Sequence, residues 1–221
     1  QQLNTLTTDM TARIEARTRD LQVTQEIGRV ATAEYDIDRL MTQVVDLIVD
    51  RFDSIYHAQI FLIEGNYAVL KASTGEAGQQ LLKRGHRLGI GSLSVIGQVT
   101  QQNQTIIARD TASSEVHRRN EFLRDTRAEL AIPMQLGSRI IGALDVQSTL
   151  RDAFDDDMVT ILETMTSQIA IAIENTRLYE ASTRRLKELD DATTNRIQHN
   201  WEDFMYTRRT QQLTSHAGAQ V

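Results

Sequence analysis

At 221 residues the chain exceeds the roughly 150 of one ordinary domain without reaching two, so one domain with long appendages is expected. A 40% hydrophobic content, 11 glycines and a single proline, Pro133, exclude a disordered chain and suit a helix-rich one. The net charge of -6, with scattered Lys and Arg, leaves no basic stripe for nucleic-acid phosphates or anionic lipid, and the absence of cysteine removes disulfides, thiolate metal sites and thiol nucleophiles.

Residues 3–33 hold no proline and one glycine, and place Leu3, Met10, Ile14 and Leu21 at helical multiples. Thr7, Arg17 and Thr24 at intervening positions weaken the stripe, which suits one helix of a bundle better than an isolated coiled coil. Because the chain opens on Gln1 inside this pattern, a piece of a longer protein is expected. Asp36 and Asp38 then precede an amphipathic run through Leu40, Met41, Val44, Val45, Ile48 and Phe52, a second helix. Strand-like runs over 55–62 and 67–72 flank Gly65-Asn66, which favours a hairpin. A short helix over 77–83, an extended stretch at 86–88, a helix opened by Ser92 or Ser94 that uses Leu93, Ile96 and Val99, and a short strand at 105–108 follow. Residues 109–125 are charged and weakly periodic, a candidate lid.

Residues 126–148 form a second hairpin about Gly137-Ser138. A two-residue loop would pair Met134 with Ile141 and Ile132 with Ala143 on one face, and Ala131 with Leu144 and Glu129 with Val146 on the other, with Gly142 opposite Pro133. Apolar residues on both faces predict a sheet covered on both sides. Pro133, which has no amide hydrogen, is expected at an edge, a bulge or an unused hydrogen-bond direction. Asp155, Asp156 and Asp157 mark the start of the exit helix, with Phe154 stapling onto Val159. Its stripe runs through Ile161, Leu162, Met165, Ile169, Ile173 and Tyr179 and extends past Leu189. The tail over 184–221, with Trp201, Phe204 and Met205, reads as a connector.

The order of elements, with Thr126-Arg127-Ala128-Glu129-Leu130-Ala131-Ile132-Pro133-Met134, then Ile141-Gly142-Ala143-Leu144-Asp145-Val146-Gln147-Ser148, then residues 170–179, resembles a GAF domain over roughly 37–179. The resemblance implies an α+β fold: an antiparallel sheet of five or six strands, helices on both faces, a ligand cavity over one face, and long N- and C-terminal helices. It also implies a cytoplasmic, dimeric signalling module of a bacterial sensor protein, or the soluble part of a membrane-anchored one. The expected organisation is an N-terminal signalling helix over 1–36, the domain over 37–179 and a C-terminal helix and connector over 180–221.

Relatives that bind cyclic nucleotides carry an Asn-Lys pair and Phe-x-x-x-Asp-Glu; this chain has no Asn-Lys pair, and Met158-Val159 stand where the acids would follow Phe154. Bilin attachment and thiol-based sulfoxide reduction both need cysteine, so neither is expected, and no enzyme activity, cofactor or metal site is assigned. The five histidines match no metal spacing. Candidate ligand contacts are His117, Arg118, Arg124, Arg127 and Glu129, because arginine forks suit an anion. The ordinary alternative is a solvated loop balanced by Glu115, Glu121, Asp125 and Glu129. Ile14, Leu21, Ile169, Ile173 and Leu186 are the expected helix-pairing residues of a homodimer. The function expected is a non-catalytic sensory module that binds an unknown small molecule and relays change to adjacent domains of its parent protein. The alternative is a ligand-free dimerisation spacer, and neither nucleic acid nor direct membrane contact is expected.

Overall fold

The computed structural model describes residues 36–114 and 120–217. The helix expected over 3–33, with Ile14 and Leu21, and the lid residues His117, Arg118 and Arg119 lie outside them.

Local chemistry sets the element ends. Helix α1 (Ile37–Arg51) begins where Asp36 Oδ1 accepts the amides of Asp38 and Arg39, each at 3.0 Å. Strands β1 (His57–Glu64) and β2 (Tyr67–Ser73) turn on Gly65-Asn66, with Gly65 at φ +58, a conformation that glycine adopts without steric cost. Helix α2 (Gly75–Lys83) and the short β3 (Arg87–Gly89) follow. Helix α3 (Val95–Gln102) starts at Ser94, whose Oγ accepts the Gly97 amide at 2.9 Å. Leu93, expected on that helix, therefore precedes it and is 77% exposed. After β4 (Ile106–Ala108), β5 (Ala128–Leu136) and β6 (Arg139–Ser148), Asp155 Oδ1 accepts the Met158 amide at 2.8 Å and opens α4 (Asp156–Ala217), which does run past Leu189.

The six strands form one antiparallel sheet in the order β3-β2-β1-β6-β5-β4. The β5–β6 register departs from the simple hairpin in one respect. Leu136 pairs with Arg139 and Gln135 with Ile140, as a two-residue loop requires, but the register shifts between Met134 and Gln135. Beyond that shift Met134 faces Gly142, Ile132 faces Leu144, Ala131 faces Asp145 and Glu129 faces Gln147, each one position from the expected partner. An extra residue on one strand slips every later pair, and because side chains alternate it changes which residues share a face. Pro133 faces Ala143, beside this irregularity and beyond the residues of β5 that pair with β4.

The two faces consequently have different chemistry. One is apolar: Ala58, Ile60, Leu130, Ile132, Met134, Leu144 and Val146 pack with Leu40, Met41, Val44 and Ile48 of α1 and with Leu162, Met165, Ile169 and Ile173 of α4. Ile169 and Ile173 are 0% and 2% exposed, so these two expected pairing residues are spent inside their own domain's core. The other face carries a smaller apolar cluster, with Phe61, Ala131 and Ala143 under Leu81 of α2 and Val95, Ile96 and Val99 of α3. It also carries the buried polar residues of the central strands.

A second compact unit covers residues 178–221, and in its described part it is helical. Its Leu178, Tyr179, Leu186, Leu189 and Trp201 are exposed. No helix among the described residues is long and apolar enough to cross a membrane.

At Gly142, where β6 passes between β1 and β5, an added Cβ would overlap the Phe61 carbonyl oxygen and lie 2.6 Å from the Met134 methyl carbon. Gly142→Ala is expected to lower unfolding free energy by about 1–3 kcal/mol. Gly65→Ala, with open space around it but φ +58, would cost about 1 kcal/mol. Urea denaturation of the two variants checks the order.

Candidate functional site

A cavity of about 380 Å³ lies over the second face of the sheet. Such a volume is within the range that encloses small ligands. Its floor comes from three adjacent strands: Gln59 and Phe61 on β1, Asp145 and Gln147 on β6, and Glu129 on β5. Pairing of Gln59 with Asp145 and of Gln147 with Glu129 puts these side chains on the same face. Leu81, Leu88, Val95, Ile96, Phe122 and Leu123 wall it, while Arg84, His86, Arg87, Ser94, Asn120 and Glu121 complete its lining.

The floor is held by a hydrogen-bond chain. The Tyr56 hydroxyl and Thr126 Oγ1 are 2.6 Å apart, Thr126 Oγ1 donates to Gln147 Oε1 at 2.6 Å, and Gln147 Nε2 donates to Asp145 Oδ2 at 2.8 Å. Beside it, Gln59 Nε2 donates to Ser73 Oγ at 3.1 Å, and Ser73 and Thr74 hydroxyls lie 3.2 and 3.1 Å from the two ring nitrogens of His57. These partners account for polar side chains that would otherwise be costly to bury.

Burial controls protonation here. Loss of solvent pushes the Glu129 carboxyl up from its ordinary 4.5 to about 7, partly offset by a hydrogen bond with Asp145. The same loss lowers His57 to about 4 and lowers His86, both of which are favoured neutral. Tyr56 is raised, chiefly by burial, with its hydrogen bond to Thr126 acting the other way. At the rim, the Arg84 guanidinium lies 4.5 Å from the Phe122 ring centroid and 2.7 Å from Glu121 Oε1, and Arg87 lies 4.6 Å from the Tyr67 ring.

Of the ligand contacts expected from sequence, Glu129 reaches this cavity. Arg124 and Arg127 do not; they line a neighbouring hollow of about 460 Å³ with Thr111, Ala112 and Thr126. Arg124 Nε there donates to the Glu121 carbonyl at 2.9 Å. The arginines of the main cavity are Arg84 and Arg87, from the chain between α2 and β3 and from β3 itself. Sequence reasoning missed Gln59, Asp145 and Gln147. Their signal was present: polar residues two apart, Asp145 and Gln147, alternate with Leu144 and Val146 in a strand expected to be covered on both sides. The expected register set Leu144 and Val146 on the face of Glu129, which hid it. Among the described residues no group of three or more His, Cys, Asp or Glu could hold a metal ion.

Because the folded carboxyl of Glu129 is raised above its unfolded value, the native state binds the proton more tightly, and stability falls as pH rises from about 4.5 to about 7. Glu129→Gln is expected to flatten this part of the stability profile. Chemical denaturation at a series of pH values measures it, and an unchanged slope contradicts the assignment.

A sequence model described as GAF domain matches residues 34–174 of the chain. No curated protein matches it. Among solved structures, the GAF domain of a phosphoenolpyruvate-protein phosphotransferase from Coxiella burnetii superposes with a TM-score of 0.65 at 20% identity, covering 74% of this chain and 98% of that one. A putative GAF sensor protein from Burkholderia vietnamiensis gives 0.63 at 18%, covering 73% and 97%. A free methionine-R-sulfoxide reductase from Neisseria meningitidis, in complex with its substrate, gives 0.62 at 20%, covering 72% and 90%.

Proposed function

The chain belongs to the GAF domain family, and we propose that it is a non-catalytic sensory module that binds a small molecule in the 380 Å³ cavity and relays its presence to the exit helix. The observation that carries this reading is the cavity itself. A spacer needs only a packed interior, whereas here two carboxyls and two amides converge beneath a half-open, partly apolar space. The similarly folded Neisseria reductase, solved with its substrate, supports the idea that this fold holds a small molecule. The chain has no cysteine for thiol chemistry, which favours binding without turnover.

Contacts near the floor supply a physical route for the relay. Thr111 Oγ1 donates to the Thr126 carbonyl at 2.8 Å, and the Thr111 amide to the Arg127 carbonyl at 2.8 Å, tying residue 111 to the chain that enters β5. Two residues earlier, the Arg109 carbonyl accepts the Asp152 amide at 3.0 Å, and its guanidinium donates to the Phe154 carbonyl at 3.2 Å, immediately before α4. A shift of Thr126 on ligand binding would move Arg109 and bias the first turn of α4.

Association of two copies is part of the same proposal. Leu178, Leu186 and Leu189 recur at three- to eight-residue intervals on the exposed surface of α4 and, with Trp201, would bury apolar surface against the same helix of a second copy. In this reading Leu186 keeps its expected pairing role and Leu189 joins it, in place of the core residues Ile169 and Ile173. We place the module in the cytoplasm, between other domains of a sensor protein.

Native mass spectrometry of gently purified protein is expected to show a retained small molecule that Asp145→Asn and Glu129→Gln together release. A wild-type chain with no retained mass would favour the spacer. Light scattering is expected to give a dimer for the wild type and a monomer for the Leu186→Asp, Leu189→Asp double variant. A monomeric wild type at high concentration removes the pairing.

A further inference from the structure

We propose that the cavity selects a small organic cation with an apolar body, and that the cation enters in exchange for the proton held between Glu129 and Asp145. The inference rests on the ligand-binding reading above and names the ligand's chemical class. It starts from the direction of the hydrogen-bond chain in the floor. Gln147 offers its Nε2 to Asp145 Oδ2, so its Oε1 end must accept, and the hydroxyl of Thr126 is the donor 2.6 Å away. With that proton committed, Tyr56 gives its own to Thr126 Oγ1. Thr126 also lies 3.1 Å from the Leu123 carbonyl, the longer of its two donor contacts. Every link from Tyr56 onward therefore hands a donor towards Asp145 Oδ2 and fixes that carboxyl in the cavity floor.

Glu129 hydrogen-bonds with that same Asp145 and is buried beside it. Two carboxyls in one water-poor site hold one proton between them, because two bare negative charges at hydrogen-bond distance repel strongly. An ammonium group placed between them satisfies both through its N–H bonds and brings the opposing charge. The pair then releases its shared proton to solvent, and the charge of the floor falls by one as the ligand adds one. A neutral alcohol cannot drive that release, and a carboxylate would meet like charge. Phe61, Leu88, Val95, Ile96 and Phe122 leave the rest of the space apolar, which calls for an aromatic or aliphatic body behind the charge.

Tyr56, His57 and His86, the other shifted groups around the pair, move away from neutrality. Tyr56 is raised and His57 lowered to about 4, and His86 is lowered, all through burial. Arg84 and Arg87 bring guanidinium groups to the lining, Glu121 sits on the rim in an ion pair with Arg84, and Asp125 lies on the chain leading to β5.

Three probes of one shape test the class: benzylammonium, benzyl alcohol and benzoate, titrated calorimetrically into the whole chain in two buffers of different ionisation enthalpy. Benzylammonium stays protonated throughout and is expected to bind at least roughly tenfold more tightly than the other two. Its affinity is expected to fall about fourfold between about pH 8 and about pH 6.5, with about half a proton released per cation near pH 7. Glu129→Gln, which keeps size and leaves a single carboxyl in the floor, should retain the preference for the cation and lose both the pH dependence and the proton release. Asp145→Asn should lose the preference, with circular dichroism confirming that each variant is folded. Benzyl alcohol or benzoate binding as tightly as benzylammonium overturns the cation class and leaves the cavity a ligand site. A preferred cation with no pH or buffer dependence overturns the exchange. Binding by none of the three overturns the proposal, and the ligand-binding reading falls with it only if the native protein also carries no retained molecule.

Discussion

The fold depends on β6 being buried on both faces. In the sheet order it lies between β1 and β5, and all its residues from Gly142 to Ser148 are buried. A strand in that position has no solvated side on which to leave its polar residues, so alternation must separate two chemistries. Leu144 and Val146 enter the apolar core beneath α1 and α4, whereas Asp145 and Gln147 turn to the opposite face. Burying the latter pair without partners would cost several kcal/mol. Tyr56 and Thr126 supply the partners from outside the strand, and the cavity lies over the polar groups so held.

Much of this was legible in the chain. The aspartate caps at Asp36 and Asp155, the two hairpins, the both-sided burial and the length of the exit helix follow from short-range rules, because each depends on neighbours in sequence. Of the cavity floor, Glu129 was legible as a ligand contact, whereas Asp145 and Gln147 were not, although they stand inside a segment that identifies the family. What hid them is the irregularity between Met134 and Gln135. A bulge leaves a weak trace in one sequence, since one extra residue in a strand has no composition of its own, yet it reverses the side on which every later residue is found. Pro133 was a hint, because a residue without an amide hydrogen often marks such a place.

The arginines show a second kind of limit. Counting cations in a charged segment predicts an anion site near Arg124 and Arg127, but position along the chain does not say which hollow a loop covers. Arg124 is turned to a main-chain carbonyl, and the acidic floor lies in the adjoining cavity. Likewise the helical stripe of α4 contains residues of two fates: Ile169 and Ile173 serve the core, Leu186 and Leu189 remain exposed, and period alone cannot separate them.

The contact between Arg109 and the residue ahead of α4 has one more implication. Its acceptor is the main-chain carbonyl of Phe154, not a side chain. No point substitution at 154 can delete a peptide oxygen, so the joint can survive exchange of that residue over generations, provided the replacement still fills the buried site. Inheritance of the side-chain half of the linkage rests on a single codon, that of Arg109, while the main-chain bond from the Asp152 amide to the Arg109 carbonyl calls for no particular side chain at 109.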